Sequence, residues 1–351
     1  MGAGCTILGI ESSCDETSAA VVVDGREVRS NVVSSQAALH AKYGGVVPEI
    51  AARAHIERVR PIIEEALAQA RAGYADLDAI AVTAGPGLVG SLLIGVTAAK
   101  VLALAYDLPV VAVDHLEAHA TSAALLAQKP PWPAVALVVS GGHTSVYLVH
   151  DFLEIELLGQ TADDAAGEAF DKVAAILELG YPGGPVIDRV AREGNPDAIR
   201  FPRTWLDQPH LNFSFSGLKT AVLYHVYGSG HKYGTARHLS RSELADIAAS
   251  FQAALIEPLI KKTIAAARQT RVGDVAVGGG VASNSALRAA LQTACDEAGL
   301  TLHLPPTEYC GDNAAMVAAL GQRRLNAAHT ADLWLEPRGG LIRPERRRKR
   351  K

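Results

Sequence analysis

Thr6-Ile-Leu-Gly-Ile-Glu11, then Ser12-Ser-Cys-Asp-Glu-Thr-Ser18, then Ala19-Ala-Val-Val-Val-Asp-Gly25 reads as a strand, a polar turn and a second strand. About 130 residues later the same plan returns as Ala134-Val-Ala-Leu-Val-Val139, Ser140-Gly-Gly-His-Thr-Ser145 and Val146-Tyr-Leu-Val-His-Asp151. Two copies predict a duplicated domain. A hairpin tip exposes backbone N–H groups and hydroxyls together, so two tips facing each other across a cleft would suit a phosphate group. Two ordinary hairpins of a sheet would leave the same trace, and both readings stand at this point.

Between the copies, helical spacing dominates. Residues 47–71 carry apolar side chains three and four apart, and a second helix over 90–106 follows the turn Gly85-Pro-Gly-Leu88. The short apolar runs Ala79-Ile-Ala-Val-Thr83 and Pro109-Val-Val-Ala-Val113 alternate with these helices, which predicts an α/β fold with a partly parallel, mixed sheet. In the second half, helices are expected near residues 165–179, 242–268 and 313–328. Asp274-Val-Ala-Val-Gly278 is a strand running into Gly279-Gly-Val-Ala-Ser-Asn284 and then a helix. Such a turn lets a ligand approach N–H groups at a helix N-terminus, where the dipole favours anions. It is neither Gly-x-Gly-x-x-Gly nor a Walker A loop, and a triple glycine also closes a tight turn with no ligand at all.

A chain of 351 residues, 49% hydrophobic and 20% charged, can bury a large core, and its length suggests two lobes. We read no apolar run of the roughly 18 residues that cross a bilayer and no basic region leading into a signal-type stretch, and so expect a cytoplasmic protein. The opening Met-Gly-Ala-Gly-Cys-Thr fits a loose myristoylation pattern, which we treat as chance because Thr6 already begins a strand. Cys5, Cys14, Cys295 and Cys310 show no Cys-x-x-Cys spacing, so reduced thiols are expected. The net charge is −4, yet from Arg338 onward eight Lys or Arg stand against one Glu, leaving −11 for the rest. The run Arg346 to Lys351 reads as a disordered arm, either simply solvated or bound to phosphate.

His115-Leu-Glu-Ala-His119 is the strongest local signal for metal. On a helix the two imidazoles project about 40° apart, one turn separated, and can meet one cation. A zinc protease of the His-Glu-x-x-His type has its glutamate one residue after the first histidine. Here Glu117 follows by two, which turns it roughly 180° from the ligand face, out of reach as general base. Such pairs are often plain surface residues, so a third ligand is needed. Asp312, in Cys310-Gly-Asp-Asn-Ala-Ala-Met316, is the candidate, although a carboxylate ahead of a helix is also an ordinary N-cap. Two histidines and one carboxylate leave positions open for an incoming ligand.

Nine motifs in order then resemble one family. Ile10-Glu-Ser-Ser-Cys-Asp-Glu-Thr17, His40-Ala-Lys-Tyr-Gly-Gly-Val-Val-Pro-Glu49, Gly85-Pro-Gly-Leu-Val-Gly-Ser91, His115-Leu-Glu-Ala-His119, Val139-Ser-Gly-Gly-His-Thr144, Gly167-Glu-Ala-Phe-Asp-Lys172, Tyr181-Pro-Gly-Gly184, Phe213-Ser-Phe-Ser-Gly-Leu-Lys219 and Gly278-Gly-Gly-Val-Ala-Ser-Asn284 are together similar to the bacterial tRNA adenosine threonylcarbamoyltransferases, a family once labelled glycoprotein endopeptidases. The resemblance spans about residues 6 to 325. It implies a two-lobed actin-like ATPase fold with duplicated mixed-sheet domains: a first lobe over 1–133 ending in the metal histidines, a second over 134–330 with an adenylate pocket, and a basic tail over 331–351.

The implied reaction moves the threonylcarbamoyl group of threonylcarbamoyl-AMP to N6 of the adenosine 3′ to the anticodon, in tRNAs reading codons that begin with A. Carried over by residue, His115, His119 and Asp312 hold one divalent metal, Fe2+ or alternatively Zn2+. Val138, Val139, Ser140, Gly141, Gly142, Asp171, Gly184, Asp188 and Asn284 line the adenylate pocket. Asp15 or Glu16 orients the amine or accepts its proton. Implied partners are tRNA, a smaller paralogous actin-like subunit (TsaB-like) and a P-loop ATPase (TsaE-like). Gly311 departs from the pattern, which commonly has Ser or Thr there. His40 and His55 are expected in surface or helix-packing roles. The rival readings are a metal-dependent glycoprotein endopeptidase and an actin-like nucleotide-binding scaffold without chemistry.

Overall fold

A computed structural model describes residues 4–127, 129–228 and 239–339. Strands β1 (Thr6–Glu11), β2 (Glu16–Val23), β3 (Glu27–Ser35), β4 (Ala79–Gly85) and β5 (Val110–Asp114) are interleaved with helices α1 (Ala37–His40), α2 (Pro48–Ala70), α3 (Val89–Tyr106) and α4 (His115–Thr121). Then come β6 (Ala134–Val139), β7 (Thr144–Val149), β8 (Ile155–Gln160), α5 (Ala166–Ile176), α6 (Gly183–Ala191), α7 (Ser216–Tyr227), α8 (Arg241–Thr270), β9 (Asp274–Gly278), α9 (Ser285–Ala298), β10 (Thr301–His303) and α10 (Ala314–Asn326).

The two sheets share one plan. The first runs β3-β2-β1-β4-β5 and the second β10-β9-β6-β7-β8, which is the same order read from the other edge. In each, three antiparallel strands are extended by two parallel ones: β1 pairs with β2 antiparallel and β4 parallel, and β6 pairs with β7 antiparallel and β9 parallel. The hairpin repeat in the sequence is therefore a repeat of the whole sheet.

The chain divides into two compact units, the first made of residues through Gln36, Val47–Ala118 and residues from Asn313, the second of Ala37–Val46 and His119–Asp312. These limits differ from the linear ones expected from sequence. Helix α10 packs on β1, β2 and β4 of the first sheet. Small residues make that contact: a Cβ on Gly9 would lie 2.2 Å from the Ala314 carbonyl oxygen, and one on Gly321 would lie 2.3 Å from the Ala81 Cβ. The Ala314 N–H also donates to Ser18 Oγ at 2.9 Å. On the other face Leu8, Ile10, Val21, Ile80 and Val82 form a core with Ile63, Leu67, Val96 and Ala99 of α2 and α3.

Two further expectations are corrected here. Residues 331–339 are not a free tail: the Ala331 N–H donates to the Val110 carbonyl and the Arg338 N–H to the Ala84 carbonyl, each at 2.8 Å. The basic run from Arg346 and the opening Met-Gly lie outside the described residues. Helix α3 does reach the length and apolarity of a membrane span, with 18 residues at mean hydropathy 1.8. Its Ser91, Leu92, Gly95, Val96, Ala99 and Ala103 are buried, packed towards α2 and β4, while Val89, Leu93, Val101 and Leu104 stay exposed.

The second core gathers Val135, Leu137 and Val139 with Phe170, Phe213, Phe215 and Phe251. Ser240 and Glu243 form a capping box at the start of α8. The motif Phe213–Lys219 finds a structural role: Asp163 accepts the Ser214 hydroxyl at 2.5 Å and the Phe215 N–H at 2.8 Å, and Asp164 pairs with Lys172 at 2.9 Å and Lys219 at 3.1 Å.

Gly9→Ala is expected to lower the unfolding free energy read by urea titration by about 1–3 kcal/mol, because overpacking forces α10 off β1. Gly273→Ala, where nothing stands within 4 Å of the added Cβ, should stay within about 0.5 kcal/mol of the parent.

Candidate functional site

β5 ends at Asp114, and α4 starts at His115. The Asp114 carboxylate caps this helix, accepting the Leu116 N–H at 2.8 Å and the Glu117 N–H at 3.1 Å. Burial lifts its pKa to about 6 and the Glu117 charge adds to this, against those two bonds and His115. Both histidines are buried, His115 at 4% exposure and His119 at 0%. His119 Nε2 and Asp312 Oδ1 are 3.0 Å apart. Ligand atoms of His115, His119 and Asp312 all lie within 4.8 Å of one another, the one such group among the described residues.

The alternative role for Asp312 is excluded by the next residue. Asn313 is the N-cap of α10, its side chain accepting the Met316 N–H at 3.1 Å, so Asp312 is not needed for capping. Glu117 behaves as its helical position requires: it forms an ion pair with Arg324 of α10.

His119 also adjoins the glycine turn. A Cβ on Gly278 would lie 2.1 Å from the His119 carbonyl oxygen, and the Ser122 hydroxyl donates to that oxygen at 2.8 Å. Parallel strands β6 and β9 end side by side, with Val138 opposite Gly278. Beyond this register, Gly279 has φ +94 and a Cβ there would meet the Val139 carbonyl oxygen at 2.2 Å, so only glycine fits. The two turns that follow, Ser140–Gly142 and residues 279–284, thus leave neighbouring strands at their carboxyl ends, where α/β sheets bind ligands.

Around these turns the second unit holds the remaining predicted pocket residues. The Ser140 N–H donates to the His143 carbonyl at 2.8 Å, and Ser140 Oγ accepts the His143 N–H at 3.2 Å. The tip's own backbone donors are therefore Gly141 and Gly142, whose Cβ positions are open. α5 is seated against the tip, its Gly167 and Glu168 N–H groups donating to the Ser140 and Gly141 carbonyls, both at 3.1 Å. Asp171 on α5 accepts the Gly183 N–H at 2.7 Å, which ties it to the start of α6 beside Gly184. Asp188 accepts the Ser285 hydroxyl at 2.9 Å and the Arg192 guanidinium at 3.0 Å. Asn284 caps α9 by accepting the Leu287 N–H at 2.9 Å and donates to Gln252 Oε1 at 2.7 Å. Arg192, Gln252 and Ser285 line a cavity of about 540 Å³ whose other walls are mostly apolar, among them Ala253, Ile256 and Ala286.

Asp15 and Glu16 lie in the first unit, in and just after the β1–β2 turn. Glu16 Oε1 accepts the Ser35 hydroxyl at 3.0 Å, while Asp15 is buried and its carbonyl accepts the Gln36 N–H. His55 is not a surface residue: it is wholly buried, with Nδ1 2.7 Å from Thr17 Oγ1 and Nε2 2.9 Å from the Cys14 carbonyl. Burial lowers its pKa, against the Cys14 bond and the charges of Glu11 and Asp15, and its two contacts tie α2 to the turn. His40 is buried too. Sequence reading missed Glu11, Gln252 and Ser285. The signal for Glu11 was a lone carboxylate at the end of an apolar strand.

The sequence matches the tRNA N6-adenosine threonylcarbamoyltransferase family over residues 27–319. The chain belongs to that family. Curated members include the enzyme of Trichlorobacter lovleyi, 52% identical over 330 residues with 94% of each chain covered, and that of Moorella thermoacetica, 53% identical over 311 residues with 89% of each covered. Among solved structures, component A of the Acidaminococcus fermentans (R)-2-hydroxyglutaryl-CoA dehydratase is similar at a TM-score of 0.53 and 19% identity, covering 92% of this chain and 99% of its own. That likeness speaks for the fold alone, the actin-like ATPase fold.

At Gly311, where the resemblance led us to expect Ser or Thr, no atom other than those of its chain neighbours stands within 4 Å of an added Cβ. Gly311→Ser is accordingly expected to fold with stability within about 0.5 kcal/mol of the parent. Thermal unfolding checks this; a large loss would show that the site is closed around glycine.

Proposed function

We propose that this chain transfers the threonylcarbamoyl group of threonylcarbamoyl-AMP to N6 of the adenosine 3′ to the anticodon, in tRNAs that read codons beginning with A. Besides membership of the family, one observation carries the assignment of the site: His119, with Asp312 against its Nε2, packs on the glycine turn that leads to Asn284. Within the second unit this supports reading His119 and Asp312 as ligands beside a nucleotide cradle.

Two imidazoles and one carboxylate, mostly buried and within 4.8 Å of one another, fit a single divalent cation of the Fe2+ or Zn2+ type. We assign His115, His119 and Asp312 as its ligands and Fe2+ as its identity. Bound there, the ion would polarise the carbamoyl group and neutralise charge on the departing phosphate.

The chain's own groups do the rest. The Gly141 and Gly142 N–H groups donate to the phosphate of the donor. Asn284 has its oxygen committed to the α9 cap and one amide hydrogen to Gln252, so its remaining hydrogen selects an acceptor on the nucleotide. Asp171 and Asp188 take ribose hydroxyls, and the cavity beside Ser285 accommodates the base. Adenosine N6 forms a bond to the carbamoyl carbon while the bond from that carbon to the phosphate oxygen breaks. AMP leaves with the electron pair, and N6 loses one proton. Glu16 is engaged with Ser35, so we assign to Asp15 the orientation of the amine or the acceptance of that proton.

The partners we propose are tRNA, a smaller paralogous actin-like subunit and a P-loop ATPase, with action in the cytoplasm. The exposed apolar residues Val89, Leu93, Val101 and Leu104 of α3 support a protein partner on the first unit. The Glu117–Arg324 ion pair argues against a glycoprotein endopeptidase.

With Fe2+, partner proteins, threonylcarbamoyl-AMP and unmodified tRNA, His119→Ala is expected to lose at least about 100-fold in turnover, as several kcal/mol of lost charge stabilisation requires. Nucleoside mass spectrometry reads the product. Full turnover in the variant would remove the metal from the reaction, and glycoprotein cleavage without modified nucleoside would restore the endopeptidase reading.

A further inference from the structure

Glu11, the last residue of β1, is wholly buried, a costly place for a carboxylate unless it is fully engaged. Its Oε1 accepts the Ser13 N–H at 2.5 Å. Its Oε2 accepts the Thr83 hydroxyl at 2.7 Å and lies 3.0 Å from His115 Nδ1. Ser13 Oγ is a more distant neighbour of the same ring nitrogen, at 3.3 Å. All these groups belong to the first unit.

An ionised carboxylate only accepts hydrogen bonds, and a neutral imidazole has one N–H and one lone pair. With Glu11 on Nδ1, the proton of His115 belongs there and the lone pair belongs on Nε2. Metal-bound histidines in general have their second nitrogen held by a carboxylate or carbonyl, and the partner sets both tautomer and ring orientation.

We infer that Glu11 is a positioning residue that holds His115 as the Nδ1–H tautomer and so reserves Nε2 as its ligand atom. This deepens the metal-site assignment made above and rests on it. The role differs from that of an ordinary buried hydrogen-bond partner, because it depends on the carboxylate being unable to donate. In Glu11→Gln the carbonyl of the amide can still accept the Ser13 N–H, while its NH2 takes the place of Oε2 and only donates. Toward His115 that group requires an acceptor at Nδ1, which moves the ring proton to Nε2 and blocks the ligand atom.

The test has two arms. In the first, 15N-histidine NMR of the metal-free full chain, with His115 assigned by comparison with His115→Gln, should show the Nδ1–H form in the parent and the Nε2–H form in Glu11→Gln. In the second, anaerobic Fe2+ titration and Zn2+ competition should show affinity 10- to 100-fold weaker in Glu11→Gln. Thr83→Val, which removes the other donor to the same oxygen, should stay within about threefold of the parent. A parent His115 protonated at Nε2, or Glu11→Gln binding metal as tightly as the parent, would overturn the inference. If the parent itself binds neither ion, the metal-site assignment fails, while the tautomer of His115 still decides the role of Glu11. The parent spectrum also decides it if Glu11→Gln does not fold.

Discussion

Backbone lies against backbone at the ends of β6 and β9, with no room for a side chain. A Cβ at Gly278 would fall on the His119 carbonyl and one at Gly279 on the Val139 carbonyl, at 2.1 and 2.2 Å. This close approach sets the distances of the second unit's site. It brings the Ser140–Gly142 tip beside the turn that leads to Asn284, and it holds the end of α4 against β9. His119 is thereby fixed from the side of its backbone, independently of anything its imidazole binds.

From that constraint the site follows in layers. Capping side chains fix the helix starts: Asp114 for α4, Asn284 for α9 and Asn313 for α10. Because Asn313 satisfies α10, Asp312 is released to meet His119. Because Asn284 satisfies α9, its amide is oriented rather than free to flip, and Gln252 locks it further. Residues that look like local helix signals thus fix the side chains around the candidate site. The same economy appears at Glu11, where one buried carboxylate joins β1, β4 and the imidazole of His115.

The parts legible in the sequence are those written in local pattern. The two hairpins showed as repeated apolar–polar–apolar runs, and the strand at Asp274 showed because its exit needs glycine at a positive φ. The histidine pair and the wrong offset of Glu117 could be read from helical periodicity alone. What escaped depends on which surface meets which. Helix α10 follows the second sheet in sequence but covers the first, since the small faces of Gly9, Ala314 and Gly321 mesh, and periodicity does not name the partner of a face. The exposed edge strand β8 and the three-residue β10 carry too little alternation to stand out. Residues 331–339 read as a tail because their anchoring is by main-chain bonds to Val110 and Ala84, which no side-chain pattern announces.

The central claim is that His115, His119 and Asp312 share one cation next to a nucleotide held by the two glycine turns. A crystal structure of the chain grown with Fe2+ and AMP, phased at the iron edge, measures this directly. The account predicts one anomalous peak in contact with Nε2 of His115, a nitrogen of His119 and a carboxylate oxygen of Asp312, and the AMP phosphate against the Gly141 and Gly142 N–H groups. Iron bound by other residues, or AMP seated away from Asp188 and Asn284, would contradict it.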